Sequence, residues 1–362
     1  MAPQLDHDDV AHLRRLPELL LRAGYVDAYA VYGVLHLRFP EMRKELGALP
    51  EALRNLVSVF LLGDPVERRA LGEILGADTV DALLRLGVLV VAKGVVWTEG
   101  LILLPVLGQM VFLPAGQGLI GDAAVLAARI SPPPGARCLD LCSGIGMMAL
   151  RCLDVAQSVL AVEVNPLLVA CIELSFALNG VGERAEVRQG DLYAALKPDE
   201  RFDYVAANPP ILAFPPHLLS PAANPDDDGF LLFRRVLQGL PQVLRPTGWA
   251  QILVCSVGDE GGPALRGELT RFARDHDAHV VMTLPARLRM REGDSLFEEL
   301  ARSSAAACGI DEGEVRQRLQ VHLRATKLDY LYSAALTVHM DAARAGLVVI
   351  DHAREPGGFW FK

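Results

Sequence analysis

The amino-acid sequence predicts an α/β protein in which a mainly helical front precedes a doubly wound, largely parallel sheet. Three observations lead there. Up to about residue 90, apolar positions recur at three- and four-residue spacing, the helical period. From about residue 119, short β-rich runs alternate with helical ones, the order that builds a parallel sheet covered by helices. Within the second regime, Ser131-Pro132-Pro133-Pro134-Gly135 is a rigid breaker ahead of the first strand.

Composition sets the bounds. The chain has 362 residues, 51% of them hydrophobic, and a mean hydropathy of +0.27, enough apolar surface for two packed cores. Only 22% of residues are charged, which argues against disorder. Lys and Arg number 35 against 44 Asp and Glu, a net charge of −9, which argues against a general nucleic-acid binder. The six cysteines (138, 142, 152, 171, 255 and 308) form no CxxC pair, and most lie in apolar runs, as reduced core thiols do. Asp6, Asp8 and Asp9 stand where a signal peptide would carry positive charge. The apolar stretch 101–115 is interrupted by Pro105, Gly108 and Gln109 and is too short to span a bilayer. A cytoplasmic protein without a membrane segment is expected.

In the front region the helical runs are 13–23, 28–37, 49–62, 65–75 and 79–86, with Asp64-Pro65 and Asp78-Thr79 as helix starts. Residues 88–91 and 95–98 pair as a small hairpin around Lys93-Gly94, giving a winged-helix-like pattern. A DNA-reading helix would then be 78–86, yet it holds Asp78 and Asp81 against Arg85 alone. Residues 1–110 carry 11 basic and 14 acidic side chains, so this domain is read as a substrate-shaping or dimerisation module. Residues 111–362 form the second domain. Its expected strands are 137–141, 158–164, 185–189, 203–206, 250–256 and 279–284, with 330–340 as a last edge strand. Helices at 166–179, 230–240 and 263–275 separate them, and a charged helical insertion lies near 287–327.

The chemistry concentrates at strand ends. Leu139-Asp140-Leu141-Cys142-Ser143-Gly144-Ile145-Gly146 closes the first strand and opens a helix, so its backbone can approach a ligand closely. Gly144-x-Gly146-x-x-Ala149 alone would also suit a nicotinamide dinucleotide. Asp140, however, would repel a pyrophosphate and welcome an ammonium group. Glu163 ends the second strand, where a carboxylate accepts from ribose hydroxyls. Gly190-Asp191 follows the third strand and Asn208-Pro209-Pro210 the fourth. All lie at carboxyl ends of strands, the ligand side of an open α/β sheet.

On these residues the sequence resembles the class I S-adenosylmethionine-dependent methyltransferases. More narrowly, it is similar to the N-methyltransferase group with an Asn-Pro-Pro motif, which includes release-factor glutamine methyltransferases and several rRNA guanine methyltransferases. The resemblance covers residues 119–340, most strongly 137–210. It implies a Rossmann-like domain with a seven-stranded, mostly parallel sheet, and S-adenosylmethionine as cofactor. It implies that Asp140, Ser143 and the Gly144 and Gly146 backbone hold the methionine part. Glu163 would then take the ribose, and Asp191 with Leu192 the adenine. Asn165 is weighed as a further cofactor contact against a plain helix N-cap before Pro166. Asn208 would accept one N–H of the target nitrogen and the Pro209 carbonyl another, with Pro210 completing the motif. Transfer in line from sulfur to nitrogen then rests on positioning and needs no metal. His276 and His279 do not share an element and are not expected to bind one.

The pattern departs from the group after the prolines, where Ile211 replaces the usual aromatic residue, with Phe214 three residues on. Ile is a poor platform for a nucleobase, which favours an aliphatic amine, amide or guanidine. Asp226-Asp227-Asp228 could attract a cation or could cap the helix that follows. The insertion offers Arg287, Arg289 and Arg291 to a carboxylate or to solvent. The expectation is an N-methyltransferase of a small polar molecule of biosynthesis, partnered by that small molecule, with a homodimer open. The alternatives are a protein glutamine or rRNA N-methyltransferase and, in another class, a DNA-binding regulator that senses the cofactor.

Overall fold

A computed structural model describes residues 6–31, 39–115, 127–210 and 228–353. The chain divides into two compact units, Met1–Ala195 and Leu196–Lys362.

In the first unit, α1 (His7–Arg22) starts on Asp6, whose carboxylate accepts the Asp8 N–H at 2.9 Å. Its buried Leu13, Leu16 and Leu20 follow the helical period. Then come α2 (Tyr25–Val31), α3 (Phe39–Glu45) and α4 (Glu51–Phe60). The order continues as β1 (Val66–Glu67), α5 (Arg68–Leu75), α6 (Ala77–Arg85), β2 (Val90–Ala92) and β3 (Val95–Trp97). The three short strands make an antiparallel sheet in the order β1-β3-β2. Asp9 on α1 is buried and held by Arg85 of α6 at 2.6 Å, which ties α1 to α6.

The stretch 101–115 is a hairpin, β4 (Leu101–Val106) and β5 (Gln109–Pro114). Gly108 and Leu107, both at positive φ, make its turn. The remaining elements of this unit are β6 (Arg137–Leu141), α7 (Met147–Cys152), β7 (Ser158–Glu163), α8 (Pro166–Leu178) and β8 (Ala185–Gln189). The strands are parallel in the order β6-β7-β8. Helix α8 is apolar on most of its circumference because it lies between these strands and the β4–β5 hairpin. The hairpin is pinned to it by side chains: Phe112 N–H donates to Ser175 Oγ at 3.0 Å, and Asn179 Nδ2 donates to the Met110 carbonyl at 2.7 Å.

The second unit holds β9 (Phe202–Ala207), α9 (Leu231–Val243), β10 (Leu244–Asp259), β11 (Gly262–Pro263), α10 (Arg266–Asp275) and β12 (Ala278–Arg289). After these come α11 (Ser295–Cys308), α12 (Glu312–Thr326), β13 (Tyr330–Met340) and β14 (Gly346–Asp351). Its strand order is β14-β12-β13-β10-β9, with β11 paired to β10. Strand β10 is parallel to β9, and β12 to β14, while β13 is antiparallel to both β10 and β12.

The strand set is therefore mixed, and two expectations need correction. All seven strands expected after residue 119 are present, and β11 and β14 are additional there. Residues 330–340 do not form the edge: β13 is hydrogen-bonded on both sides, and β14 takes the edge position. The alternation that suggested an edge arises because alternate β13 residues, Tyr332, Ala334, Leu336 and Val338, bury one face completely. The insertion folds as α11 and α12 around Phe297, Ala301, Val315 and Leu319, packed on Met290 and Val257. Its base is closed by Met290 N–H donating to the Asp329 carbonyl at 2.8 Å. Arg287 and Arg289 extend strand β12 and lie outside the helices. Among the described residues, no helix is long and apolar enough to cross a membrane.

Candidate functional site

Within the first unit, parallel pairing brings three strand ends side by side. Leu141 pairs with Val162 and Glu163 with Gln189, so the segments after β6, β7 and β8 emerge together. After β6 the chain turns through Cys142, Gly144 and Gly146, all at positive φ, into α7. At Gly146 a Cβ would lie 3.2 Å from the Ile172 side chain, so a side chain here would press the loop off α8.

Asp140 is fully buried at the end of β6. Its Oδ2 accepts the Ser143 hydroxyl at 2.6 Å and the Ala149 N–H at 3.0 Å. Its Oδ1 is buried with no hydrogen-bond partner among the described residues. Burial pushes this carboxyl up to about 7, against the pull of the Ser143 and Ala149 donors and with the help of nearby Glu163. An orphaned carboxylate oxygen beside a glycine turn fits a ligand that brings a cation, as the amino-acid end of S-adenosylmethionine does.

Glu163 is engaged by the backbone. Its Oε2 accepts the Gly144 N–H at 2.8 Å, and its Oε1 accepts the Val164 and Asn165 N–H groups, each at 3.0 Å. One carboxylate thus fastens the glycine turn of β6 to the end of β7. Glu163→Ala is expected to weaken binding of S-adenosylhomocysteine by about 10- to 100-fold through loss of charge-assisted bonds. Calorimetry that returns the wild-type affinity would remove Glu163 from the site.

Asn165 caps α8: its Oδ1 accepts the Leu167 N–H at 3.0 Å, and Pro166 takes the first helical position. Asp191 is exposed beyond β8, and Leu192 is buried at φ 50°. Gly190 leaves no room for a side chain, since a Cβ would stand 2.7 Å from that of Ala195. Tyr193, beside the Cys142 thiol of the glycine turn, is a residue that sequence reasoning missed, and burial pushes its hydroxyl far up. A tyrosine in an apolar run carries no signal of that contact.

In the second unit, Asn208, Pro209 and Pro210 follow β9 directly. Asn208 is half-buried, Pro209 buried and Pro210 exposed. The Asn208 side chain makes no hydrogen bond to another described residue. Ala207 pairs with Ile252, and β10 runs past that level to Val257, where the α11–α12 insertion is seated. The insertion therefore stands at the same end of this unit's strands as Asn208.

Ile211, Phe214, Asp226 and Asp227 lie outside the described residues. Asp228 is occupied: it accepts the Phe230 N–H at 3.1 Å, and Arg234 grips both of its oxygens at 2.8 and 2.6 Å. Arg234 holds this carboxyl below its usual range and also binds Glu268. Of the insertion arginines, Arg289 pairs with Asp294 and Arg291 with Asp329, while Arg287 lies over the Tyr330 ring at 4.7 Å.

Comparison with known proteins adds a second line. Residues 118–215 match the methyltransferase small domain. The release factor glutamine methyltransferase of Cereibacter sphaeroides is 32% identical over 169 residues, 42% of this chain and 55% of the relative. That of Xylella fastidiosa is 33% identical over 168 residues, 43% of this chain and 59% of the relative. The chain thus spans little more than half the length of these curated relatives. Among solved structures, the M. jannaschii tRNA m1G37 methyltransferase is 13% identical with a TM-score of 0.42, over 67% of this chain and 56% of that one.

Proposed function

We propose that this chain, which carries a class I S-adenosylmethionine-dependent methyltransferase domain of the release-factor-glutamine-methyltransferase-like group, methylates the side-chain amide nitrogen of a glutamine in a protein. The domain is a methyltransferase domain and its cofactor is S-adenosylmethionine; the acceptor is the proposed part. The expectation of a small-molecule partner is corrected, because both curated relatives are named for a protein substrate, a release factor.

One observation carries the reading: a half-buried Asn208 side chain with no described partner, at a strand end and followed by two prolines. An amide nitrogen is a weak nucleophile whose two N–H groups must be placed before its electrons can be used. Asn208 Oδ1 accepts one N–H and the Pro209 carbonyl the other, which fixes the amide plane and draws electron density onto nitrogen. S-adenosylmethionine, when bound, supplies an electrophilic methyl group on a sulfonium. Asp140 and the Ser143–Gly146 turn hold its amino-acid end, Glu163 its ribose, and Asp191 with Leu192 its adenine. Pro209 is buried and Pro210 exposed, and neither presents an N–H that would compete for the two acceptors.

Residues 111–362 act as the catalytic domain in this reading, and residues 1–110 as a winged-helix-like domain that shapes the protein substrate. The order α4-β1-α5-α6-β2-β3 supports that reading of the front domain. Its excess of acidic over basic side chains speaks against use of the pattern on nucleic acid. The cytoplasm is the compartment in which such a protein substrate would be met.

The test is incubation with S-adenosylmethionine carrying a labelled methyl group and a bacterial release factor, followed by mass spectrometry of the peptides. Label on a glutamine side-chain nitrogen, lost when that glutamine is replaced by asparagine, is the expected result. Label that enters free amines or amino acids while sparing the protein would overturn the assignment.

A further inference from the structure

We propose that the cofactor site stores a proton on Asp140 and gives it up when the cationic end of the cofactor docks, which couples cofactor binding to pH. The inference rests on the cofactor assignment above and not on the acceptor.

The geometry of the carboxyl carries it. Asp140 is fully buried at the end of β6, and only one of its two oxygens has a hydrogen-bond partner among the described residues. The Ser143 hydroxyl from the glycine turn and the Ala149 N–H from α7 both donate to Oδ2. Oδ1 has nothing. The groups that face Asp140 add no positive charge. From β7 comes Glu163, a second carboxylate, whose own charge is balanced by three backbone N–H groups. From α7 comes the Cys152 thiol, in turn beside Cys138 of β6, and burial and these neighbours keep that thiol protonated. A carboxylate with one bare oxygen, buried beside another carboxylate and without a Lys, Arg or His among the groups acting on it, is costly to ionise. A proton on Oδ1 removes both the bare acceptor and the repulsion from Glu163. The value of about 7 that burial gives this carboxyl agrees.

The ammonium of the cofactor's amino-acid end changes the balance. A positive charge at this end of β6 supplies the missing counter-charge, and the ionised form of Asp140 becomes the favoured one. The O–H bond at Oδ1 breaks, the electron pair stays on the carboxylate, and the proton passes to a buffer base. Affinity should therefore fall as pH drops below neutrality, by more than about tenfold between pH 7 and pH 5.5. A site built on an already ionised aspartate would show no such fall.

Calorimetric titration of the full chain with S-adenosylhomocysteine at pH 6.5 tests this, in buffers of different ionisation enthalpy. Release of close to one proton per site is expected in the wild type and none in Asp140→Asn. A binding enthalpy that does not change with buffer overturns the proposal, as does equal proton release by the variant. Because Asp140→Asn could lose binding altogether, carbon NMR of the ligand-free wild type gives a second readout. The Asp140 carboxyl should titrate near neutrality and move to lower pH on saturation with S-adenosylhomocysteine; a ligand-free midpoint below pH 5 overturns the inference. Ser143→Ala, which removes the hydroxyl donor to Oδ2, should move that midpoint up, and a downward move would count against it. No acceptor is present in any arm, so a failure of the glutamine assignment leaves these results untouched.

Discussion

Asn208→Ala is expected to cut turnover by a factor on the order of 10^2 to 10^3 while leaving the affinity for S-adenosylhomocysteine within about twofold of wild type. The reason is that the Asn208 amide makes no hydrogen bond to another described residue, so its removal strands no partner among the described residues. Alanine at a half-buried strand end leaves the β9–β10 pairing from Tyr204 to Ala207 in place and costs little stability. What is lost is the acceptor that places the substrate N–H, and with it the orientation that a weak amide nucleophile needs. Asn208→Asp should retain part of the rate because it keeps an acceptor oxygen. Single-turnover rates, read beside calorimetric affinities, separate the two effects. An alanine variant with wild-type turnover would take Asn208 out of the reaction, and a loss of cofactor binding in proportion to rate would make its role structural.

That experiment turns on a residue the sequence makes visible, and other parts were visible for similar reasons. Strands β6 and β7 are short, largely apolar runs and β8 a short mixed one, each closed by a polar or glycine-containing turn, so Asp140, Glu163 and Asp191 could be assigned to strand ends from local pattern. The cap at Asn165 is equally local, since the side chain reaches only to Leu167.

What local pattern did not show is pairing across the chain. Glu163 meets the Gly144 N–H nineteen residues away in sequence, because parallel strands bring two turns together. Asp228 is claimed by Arg234 and shares that arginine with Glu268, so of the two uses open to the acidic run this carboxylate serves the start of the following helix, where it also accepts the Phe230 N–H. Strand β13 alternates as an edge strand would, yet both its edges are paired, and only non-local register decides that. The hairpin β4–β5 carries Pro105 within a strand, which a two-stranded ribbon accepts because a proline there can face away from the ladder.

Asp140→Asn is expected to make the ligand-free protein more stable at alkaline pH while it weakens the cofactor site. In the unfolded chain an aspartate ionises near 3.9. In the folded, ligand-free protein burial holds Asp140 up at about 7. Between those values the folded state binds more protons than the unfolded one, so unfolding releases a proton and stability falls as pH rises through that window. The contribution is intact below about pH 4. By pH 8 the wild type has lost up to about 4 kcal/mol from this one group, before any relaxation around it. Asparagine does not titrate, still offers an oxygen to the Ser143 hydroxyl and the Ala149 N–H, and so should lack that slope. Urea midpoints measured from pH 4 to pH 8 on wild type and variant should converge at the acid end and separate towards the alkaline end, with the variant the more stable. Curves that run parallel across the range would show that Asp140 ionises in the empty site at its ordinary value. A variant that gains stability as it loses S-adenosylhomocysteine would identify the buried carboxylate as a feature kept for the ligand at the expense of the fold.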